Sequence, residues 1–199
     1  MRSTNSEGRY LSPGVDQSLK VVVLGPFGVG KTTLVRAVSE IRPTSTEERM
    51  TKAGEAVDTL QGLSDKTTTT VALDFGRLTL TDDLVLYLFG GPGQTRFSFM
   101  IDELMQGALG GVVLVDTARI TESWDAMERM EEAGLPYAVA VNTFAASPRY
   151  GEAELRRALD LDPSTPLVEC DVRYRESAKT VLIALVSHLL SRLSLEPAS

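Results

Sequence analysis

A short apolar run, a glycine-rich loop and a helical pattern follow one another between residues 21 and 41, and no other feature constrains the fold as strongly. The β-branched run at 21–24 predicts a strand that is buried on both faces. The loop at 25–32 reads Gly-Pro-Phe-Gly-Val-Gly-Lys-Thr and fits G-x-x-x-x-G-K-[ST]. Residues 31–41 predict a helix that ends before Pro43. A loop of this kind between a strand and a helix is typical of phosphate binding.

Each residue type in this loop has a chemical reason to be there. Glycines let successive backbone N–H groups converge on phosphate oxygens at the N-terminus of a helix. Lys31 is expected to reach the β- and γ-phosphates, and the Thr32 hydroxyl is expected to ligate Mg²⁺. We therefore predict a bound nucleotide with Mg²⁺, contacted by Gly25, Phe27, Gly28, Val29, Gly30, Lys31, Thr32 and Thr33. The alternative, an ordinary glycine-rich turn with a surface lysine, does not explain the flanking strand and helix.

The rest of the chain alternates between strand and helix patterns. Strands are predicted at 69–75 (with 77–80 as an extension), 84–89, 112–115, 137–141 and 167–170. Helices are predicted at 95–108, 121–133, 152–159 and 175–193, and residues 42–66 read as a long polar loop. This order predicts an α/β fold, the three-layer sandwich of P-loop NTPases. Its sheet is expected to have six mostly parallel strands and one antiparallel edge strand.

Composition and charge bear on the number of domains, on the classes of ligand and on the cellular compartment. The 199 residues suit one domain, here 19–195 after a flexible tail at 1–18. A net charge of -7 argues against a nucleic-acid binder and against direct binding to an anionic membrane. The single cysteine, Cys170, excludes an intrachain disulfide and fits a reducing cytoplasm. Without an apolar leader, the protein is expected to be cytoplasmic and to reach a membrane only through a partner.

A second glycine-rich element follows the predicted strand at 84–89. Residues 90–94 read Gly-Gly-Pro-Gly-Gln and precede a helix pattern. This element resembles the D-x-x-G-Q motif of Ras-type GTPases, with Gly93 and Gln94 in register. The resemblance implies that the Gly93 N–H meets the γ-phosphate and that Gln94 is catalytic, orienting the attacking water. The alternative is a flexible turn.

A threonine run at 67–70 precedes the strand that ends in Asp74-Phe75. It is similar to the first switch of Rab-type GTPases. That register selects Thr70 as the hydroxyl that senses the γ-phosphate and Mg²⁺, with Thr69 as the alternate. A threonine run is also simply a good strand former.

The wider pattern resembles actinobacterial conservon-type small GTPases, which are relatives of the bacterial polarity GTPase MglA. The resemblance spans about residues 19–193 and is carried by Lys31-Thr32-Thr33, Ser39-Glu40-Ile41, Met50-Thr51, the threonine run, Asp74-Phe75-Gly76-Arg77 and Leu86-Tyr87-Leu88-Phe89-Gly90. It implies a GTP/GDP-binding signalling switch with slow hydrolysis. It also implies two partners, a roadblock-type regulatory protein and a sensor-kinase-like protein.

Two departures from the GTPase motifs concern the metal and the base. Gly90 stands where D-x-x-G has its magnesium-side aspartate. Asp116 could compensate, or it could be a structural cap. After the strand at 137–141, the guanine motif N-K-x-D is reduced to Asn142, and Ala145 replaces the carboxylate that recognises guanine. Hydrogen bonds to a charged group are worth about 1.5–3 kcal/mol each, so its loss is expected to weaken guanine preference.

Other base contacts are assigned by register. Phe144 is expected to stack on the base, and the N–H groups of Asp171 and Val172 are expected to contact it. Asn142 is either a base contact or a strand-end turn residue. The tripeptide at 177–179, Ser-Ala-Lys, lies inside the last predicted helix and is not the base motif.

Several exposed or catalytic roles stay open. Phe99 is a candidate for a partner surface or an isolated exposed apolar residue. Arg49 and Arg96 are candidates for a catalytic arginine. Trp124 and His188 are interpreted as packing residues.

The sequence leaves two rival functions open. One is a non-hydrolysing pseudo-GTPase that acts as a binding module. The other is a P-loop phosphotransferase, although no lid or acceptor site is recognisable in the sequence.

Overall fold

The computed structural model describes residues 17–41, 44–50, 69–93 and 98–195, with backbone only for 44–50, 69–72, 98 and 195. The strands are β1 Gln17–Leu24, β2 Thr44–Met50, β3 Thr69–Thr79, β4 Leu84–Gly90, β5 Gly110–Val115, β6 Tyr137–Asn142 and β7 Leu167–Cys170. The helices are α1 Lys31–Val38, α2 Ser98–Met105, α3 Trp124–Glu132, α4 Glu152–Ala158 and α5 Arg175–Leu195, and a 3₁₀ segment at Thr117–Ser123 precedes α3.

All the described strands join one sheet in the order β2-β3-β4-β1-β5-β6-β7. Strands β4, β1, β5, β6 and β7 pair in parallel, whereas β3 is antiparallel to both of its neighbours. The six predicted strands are all present and the predicted α/β class is confirmed. The carboxyl ends of the parallel strands meet at one edge, where a ligand of such a sheet usually binds.

Strand β2 is a seventh strand that the sequence analysis missed. It lies within the segment predicted as a loop, and it pairs with β3 along its whole length, from Thr44 opposite Phe75 to Met50 opposite Thr69. The prediction of a long loop was therefore wrong for 44–50, and the antiparallel strand β3 lies one position in from the edge. The sequence of β2 is polar because it needs backbone pairing more than side-chain burial.

Four predicted helices are shorter in the structure: α2 ends at Met105 rather than at 108, α4 ends one residue early, and α1 and α3 differ for reasons that the structure shows. Helix α1 ends at Val38 rather than Ile41, because Ser39 is extended and its hydroxyl donates to the Ile41 carbonyl. The helix predicted at 121–133 begins as a 3₁₀ segment that is interrupted at Arg119, and only Trp124–Glu132 is α-helical. Its predicted end at Gly134 is confirmed, since Gly134 has a φ of 65° and the next N–H bonds back to the Met130 carbonyl.

The core has two layers, one on each face of the sheet. In β1, Val21 and Val23 face α1 and α5, while Val22 and Leu24 face α2 and α3. These side chains are fully or almost fully buried, as expected of a central parallel strand. The double layer fixes the carboxyl end of β1, and with it the loop at 25–32.

Two apolar residues are more exposed than predicted, and a third is exposed as predicted. Leu193, expected on the core stripe of the last helix, is 67% exposed, because α5 runs beyond the sheet after Leu189. Trp124, expected to be a packing residue, is 50% exposed at the start of α3. Phe99 on α2 is 52% exposed, in agreement with its predicted place outside the core. Within the described ranges, no helix has the length and apolar character needed to cross a membrane.

Candidate functional site

The phosphate loop joins the carboxyl end of β1 to the N-terminus of α1. Its glycines adopt backbone conformations that L-residues avoid, with φ values of 135° at Gly25 and 110° at Gly30. A Cβ at Gly25 would lie 2.6 Å from the Leu114 carbonyl oxygen, and one at Gly30 would lie 2.7 Å from Asn142 Nδ2. Glycine is therefore required at both positions for packing as well as for backbone shape.

The Lys31 side chain is buried against the phosphate loop. Its Nζ donates to the carbonyl oxygens of Gly25 at 2.7 Å and Pro26 at 2.8 Å. Burial lowers the pKa of Lys31 to about 8, and attraction to Asp74 opposes that shift. The ammonium group is thus fixed beside the loop amides, where an anionic ligand would stabilise its charge.

A buried carboxylate lies beside Thr32, and the sequence analysis did not assign it. Asp74 on β3 is 6% exposed, and its Oδ2 accepts a 2.5 Å hydrogen bond from the Thr32 hydroxyl. The register places Asp74 directly opposite Gly90. A Cβ on Gly90 would lie 3.0 Å from the Asp74 Cβ. The missing aspartate at position 90 is therefore replaced in space by a carboxylate from the neighbouring strand.

Asp116, the other candidate for this compensation, is a structural cap. Its carboxylate accepts from Ala118 N–H at 3.0 Å and from the Ser147 hydroxyl at 2.6 Å, at the start of the 3₁₀ segment. These bonds use the carboxylate locally, at the carboxyl end of β5. The interpretation of Asp116 as a cap is therefore the correct one.

The Gly93 backbone lies against the phosphate loop. A Cβ added there would come within 2.6 Å of Lys31 Nζ and 2.7 Å of Phe27 N. The structure thus brings Gly93 next to Lys31 and the phosphate loop, and the contact of its N–H with a γ-phosphate stays a prediction. Gln94 and Arg96 lie outside the described residues, and the side chains of Thr70 and Arg49 are not described although their backbones belong to β3 and β2.

Asn142 connects β6 by hydrogen bonds to the phosphate loop and to the segment that follows β7. It is buried as the last residue of β6, its Nδ2 donates to the Val29 carbonyl at 2.9 Å, and its Oδ1 accepts from Val172 N–H at 3.2 Å. The Asp171 N–H donates to the Ser177 hydroxyl at 2.9 Å. Both amides predicted to contact the base therefore already have protein partners. Ser177 lies in α5, as predicted.

The remaining residues predicted around the base are open to solvent to different degrees. Phe144 is partly exposed, and Ala145 is exposed. Stacking of Phe144 on a base stays a prediction. Thr33 is exposed on the first turn of α1, behind the phosphate loop.

Arg119 contacts the phosphate loop, and sequence reasoning did not identify it. Its two terminal nitrogens each lie 3.4 Å from the Phe27 carbonyl oxygen, and its Nε lies 3.4 Å from Asp116 Oδ2. The Phe27 ring is 67% exposed. No motif marks Arg119, because it reaches the loop through the local break in the 3₁₀ segment.

Comparisons with known proteins agree with this geometry. A family model described as "Conserved hypothetical ATP binding protein" matches residues 23–192. An uncharacterized protein of Methanocaldococcus jannaschii is 32% identical over 126 residues, which cover 62% of this chain and 69% of that protein. The residues that the family model matches include the phosphate loop, Asp74 and Asn142. The chain therefore belongs to this ATP-binding protein family, and it is a nucleotide-binding protein with a P-loop fold.

Proposed function

We propose that this protein is a guanine-nucleotide-dependent switch that hydrolyses GTP slowly. The observation that carries the proposal is the contact of Gly93 with Lys31 and Phe27. If Lys31 Nζ binds the terminal phosphate, as we propose, that phosphate would need the space beside Nζ against which Gly93 packs. A triphosphate must therefore displace residues 91–93, whereas a diphosphate leaves them in place, and the two nucleotides favour different conformations.

Hydrolysis requires a positioned water and stabilisation of charge on the phosphoryl group. Gln94 directly follows Gly93, so the displacement that admits the γ-phosphate also sets the position of Gln94. Lys31 and the loop N–H groups supply positive potential at the phosphates. Without an arginine supplied to the site, the rate is expected to be on the order of 10⁻⁴ to 10⁻³ per second.

The residues beside Thr32 fit a magnesium ion. Mg²⁺ prefers oxygen ligands, binds through few protein groups and keeps several waters. Thr32 supplies a hydroxyl oxygen, and the buried Asp74 carboxylate next to it can hold a metal-bound water. The ion would neutralise charge on the β- and γ-phosphates. Asp74 acts as the partner that orients Thr32 toward it.

The base is expected to be guanine by a narrow margin. Asn142 keeps the motif's first residue, but Ala145 provides no carboxylate to the guanine edge, and the Asp171 and Val172 amides already bond within the protein. The family is described as ATP-binding. Because the switch motifs resemble those of GTPases, we propose that GTP and GDP bind better than ATP. Because Ala145 supplies no carboxylate and the family is described as ATP-binding, we expect a smaller preference than in GTPases with a complete N-K-x-D motif.

The same observations favour a second candidate, a binding module that holds a nucleotide without hydrolysing it. Weak base recognition, at a site without the carboxylate of the N-K-x-D motif, is compatible with such a role. The two candidates differ in one measurable property. A switch must bind a partner differently in its two nucleotide states, whereas a constitutive module binds equally well in both.

Phe99 supports a switch that acts through partners. Its half-exposed ring lies on α2, a few residues after Gly93, so displacement of 91–93 would move the surface beside it. We propose that this surface binds a roadblock-type regulatory protein or a sensor-kinase-like protein. The coupling is expected to change partner affinity at least about fivefold between nucleotide states.

Calorimetry with GDP, a non-hydrolysable GTP analogue and ATP in Mg²⁺ tests the nucleotide assignment. We expect both guanine nucleotides to bind more tightly than ATP. Lys31→Ala should abolish binding of all three in a folded protein, and Arg157→Ala on the exposed face of α4 is the matched control. Equal affinity for ATP and GTP would contradict the base assignment, and wild-type affinity in folded Lys31→Ala would contradict the site itself.

A further inference from the structure

Two side chains from outside the phosphate loop hold alternate carbonyl groups of that loop. Asn142, at the end of β6, donates from Nδ2 to the Val29 carbonyl oxygen at 2.9 Å. Arg119, in the 3₁₀ segment after β5, directs both of its terminal nitrogens at the Phe27 carbonyl oxygen, each at 3.4 Å. The Asn142 contact belongs to the motif that follows β6, whereas the Arg119 contact belongs to none of the motifs described above.

Arg119 is anchored in this position by its own segment. Its Nε lies 3.4 Å from Asp116 Oδ2, and its Nη1 lies 3.1 Å from Glu122 Oε2. The backbone at Arg119 leaves the helical region, with a φ of -141° and a ψ of 45°. Asp116 is in turn held by the Ser147 hydroxyl and the Ala118 N–H, so the guanidinium rests on a fixed support.

A carbonyl that is held on one side of a peptide fixes the direction of the N–H on the other side. The peptide between Phe27 and Gly28 is trans, so its C=O and N–H point in opposite directions. The contact of Arg119 with the Phe27 carbonyl therefore directs the Gly28 N–H away from the 3₁₀ segment. Gly28 has a φ of 76°, and glycine adopts other backbone conformations about as readily, so an external contact is needed to keep this peptide in one orientation.

We propose that Arg119 is a positioning residue that presents the Gly28 N–H to a nucleotide phosphate. Backbone N–H groups at the N-terminus of a helix bind phosphate oxygens in such a loop. The Phe27 nitrogen and Lys31 Nζ already flank one point, since a Cβ on Gly93 would lie 2.7 Å and 2.6 Å from them. The Gly28 N–H is the next donor along the chain, and Arg119 acts through its peptide rather than on the phosphate. The inference rests on phosphate binding by this loop, as the proposed function does, but not on the choice of guanine or on hydrolysis.

The experiment compares Arg119 with an arginine that makes the same kinds of contact elsewhere. Arg156 on α4 donates to the Thr165 carbonyl at 3.1 Å and pairs with Glu152 at 2.9 Å. The Arg119 side chain is 40% exposed, so its truncation leaves no buried cavity. Calorimetry in Mg²⁺ should show at least about fivefold weaker binding of both GDP and pyrophosphate in Arg119→Ala, and wild-type binding in Arg156→Ala. Arg119→Lys can still donate one hydrogen bond to the Phe27 carbonyl and should recover binding to within about twofold.

A spectroscopic readout separates positioning from a general loss of stability or of positive charge. In protein labelled with ¹⁵N-glycine, the Gly28 amide signal should move on saturation with pyrophosphate, because its N–H then donates to a phosphate oxygen. We expect a clearly smaller shift in Arg119→Ala and the full shift in Arg156→Ala. Neither lower stability nor the loss of a charge at a distance would change the signal of this one amide selectively.

Three results would overturn the proposal: unchanged pyrophosphate affinity in Arg119→Ala, an equal loss of affinity in Arg156→Ala, or a Gly28 shift that Arg119→Ala leaves unchanged. The pyrophosphate measurement also keeps this test separate from that of the proposed function. If pyrophosphate shows the expected loss while ATP binds better than GDP, the guanine assignment fails and the role of Arg119 stands.

Discussion

The position of Asp74 makes the sharpest prediction about the nucleotide site. Asp74→Asn keeps the side-chain volume but removes the buried negative charge next to Thr32 and Lys31. A group that orients a metal ligand is typically worth 10–100-fold in metal affinity. We therefore expect the Mg²⁺ concentration that supports half-maximal GDP binding to rise about 10–100-fold, which corresponds to about 1.4–2.7 kcal/mol.

The assay is a Mg²⁺ titration of fluorescent GDP binding, repeated in chelator. The loss should be confined to the metal-dependent part of the affinity, because Asp74 repels phosphate rather than binding it. Asp102→Asn, an exposed carboxylate on α2 that pairs with Arg129, is the matched control and should behave like wild type. An unchanged Mg²⁺ dependence in Asp74→Asn would refute the reasoning.

A double substitution tests whether a carboxylate at position 90 can replace the one at position 74. Gly90→Asp alone should be destabilising, because its Cβ would lie 3.0 Å from the Asp74 Cβ. In Asp74→Gly/Gly90→Asp the obstacle is gone and a carboxylate returns to the motif position. We expect the double variant to recover Mg²⁺ dependence relative to Asp74→Gly. Equal weakness of both variants would show that position 90 cannot replace position 74.

Three further predictions follow from the same site. The pKa of Lys31 is about 8 in the free protein, and a bound phosphate should raise it. Because binding then requires the protonated lysine, nucleotide affinity should fall about tenfold between pH 7 and pH 9. Lys31→Arg should remove this pH dependence. Asn142→Ala leaves the Val29 carbonyl and the Val172 N–H without their hydrogen-bond partner. We expect the free energy of unfolding, measured by thermal unfolding, to fall by about 1–3 kcal/mol and nucleotide binding to weaken. An unchanged unfolding midpoint would argue against this role of Asn142. Gln94→Leu should slow single-turnover GTP hydrolysis without weakening GTP binding, and an unchanged rate would mean that Gln94 does not position the water.

Much of the fold could be predicted from local sequence because its signals are local. The buried parts of parallel strands are apolar, as at residues 21–24 of β1 and 137–141 of β6, and the phosphate loop has a strand before it and a helix after it. Strand β2 gave no such signal, because an edge strand is held by backbone pairing with β3 and its side chains can stay polar. A stripe of leucines in α5 predicted core contact for Leu193, but the sheet ends before the helix does.

The candidate site could be predicted only in part, for a different reason. Lys31, Thr32 and Gly93 belong to motifs with fixed spacing, and the structure brings them together. The relation between Asp74 and Gly90 depends on strand register across a hairpin, which single-sequence spacing does not fix. Arg119 reaches the phosphate loop through an irregular turn, so neither periodicity nor motif could indicate it.

The central claim is that a terminal phosphate displaces Gly93 from the phosphate loop. Hydrogen–deuterium exchange of peptides spanning residues 84–105, measured in GDP and in a non-hydrolysable GTP analogue at saturating Mg²⁺, tests it most directly. We predict that hydrogen–deuterium exchange after Gly90 differs between the GDP-bound and the analogue-bound protein, and that exchange in the buried part of β4 is equal in both. Identical exchange throughout this segment in both nucleotides would contradict the switch.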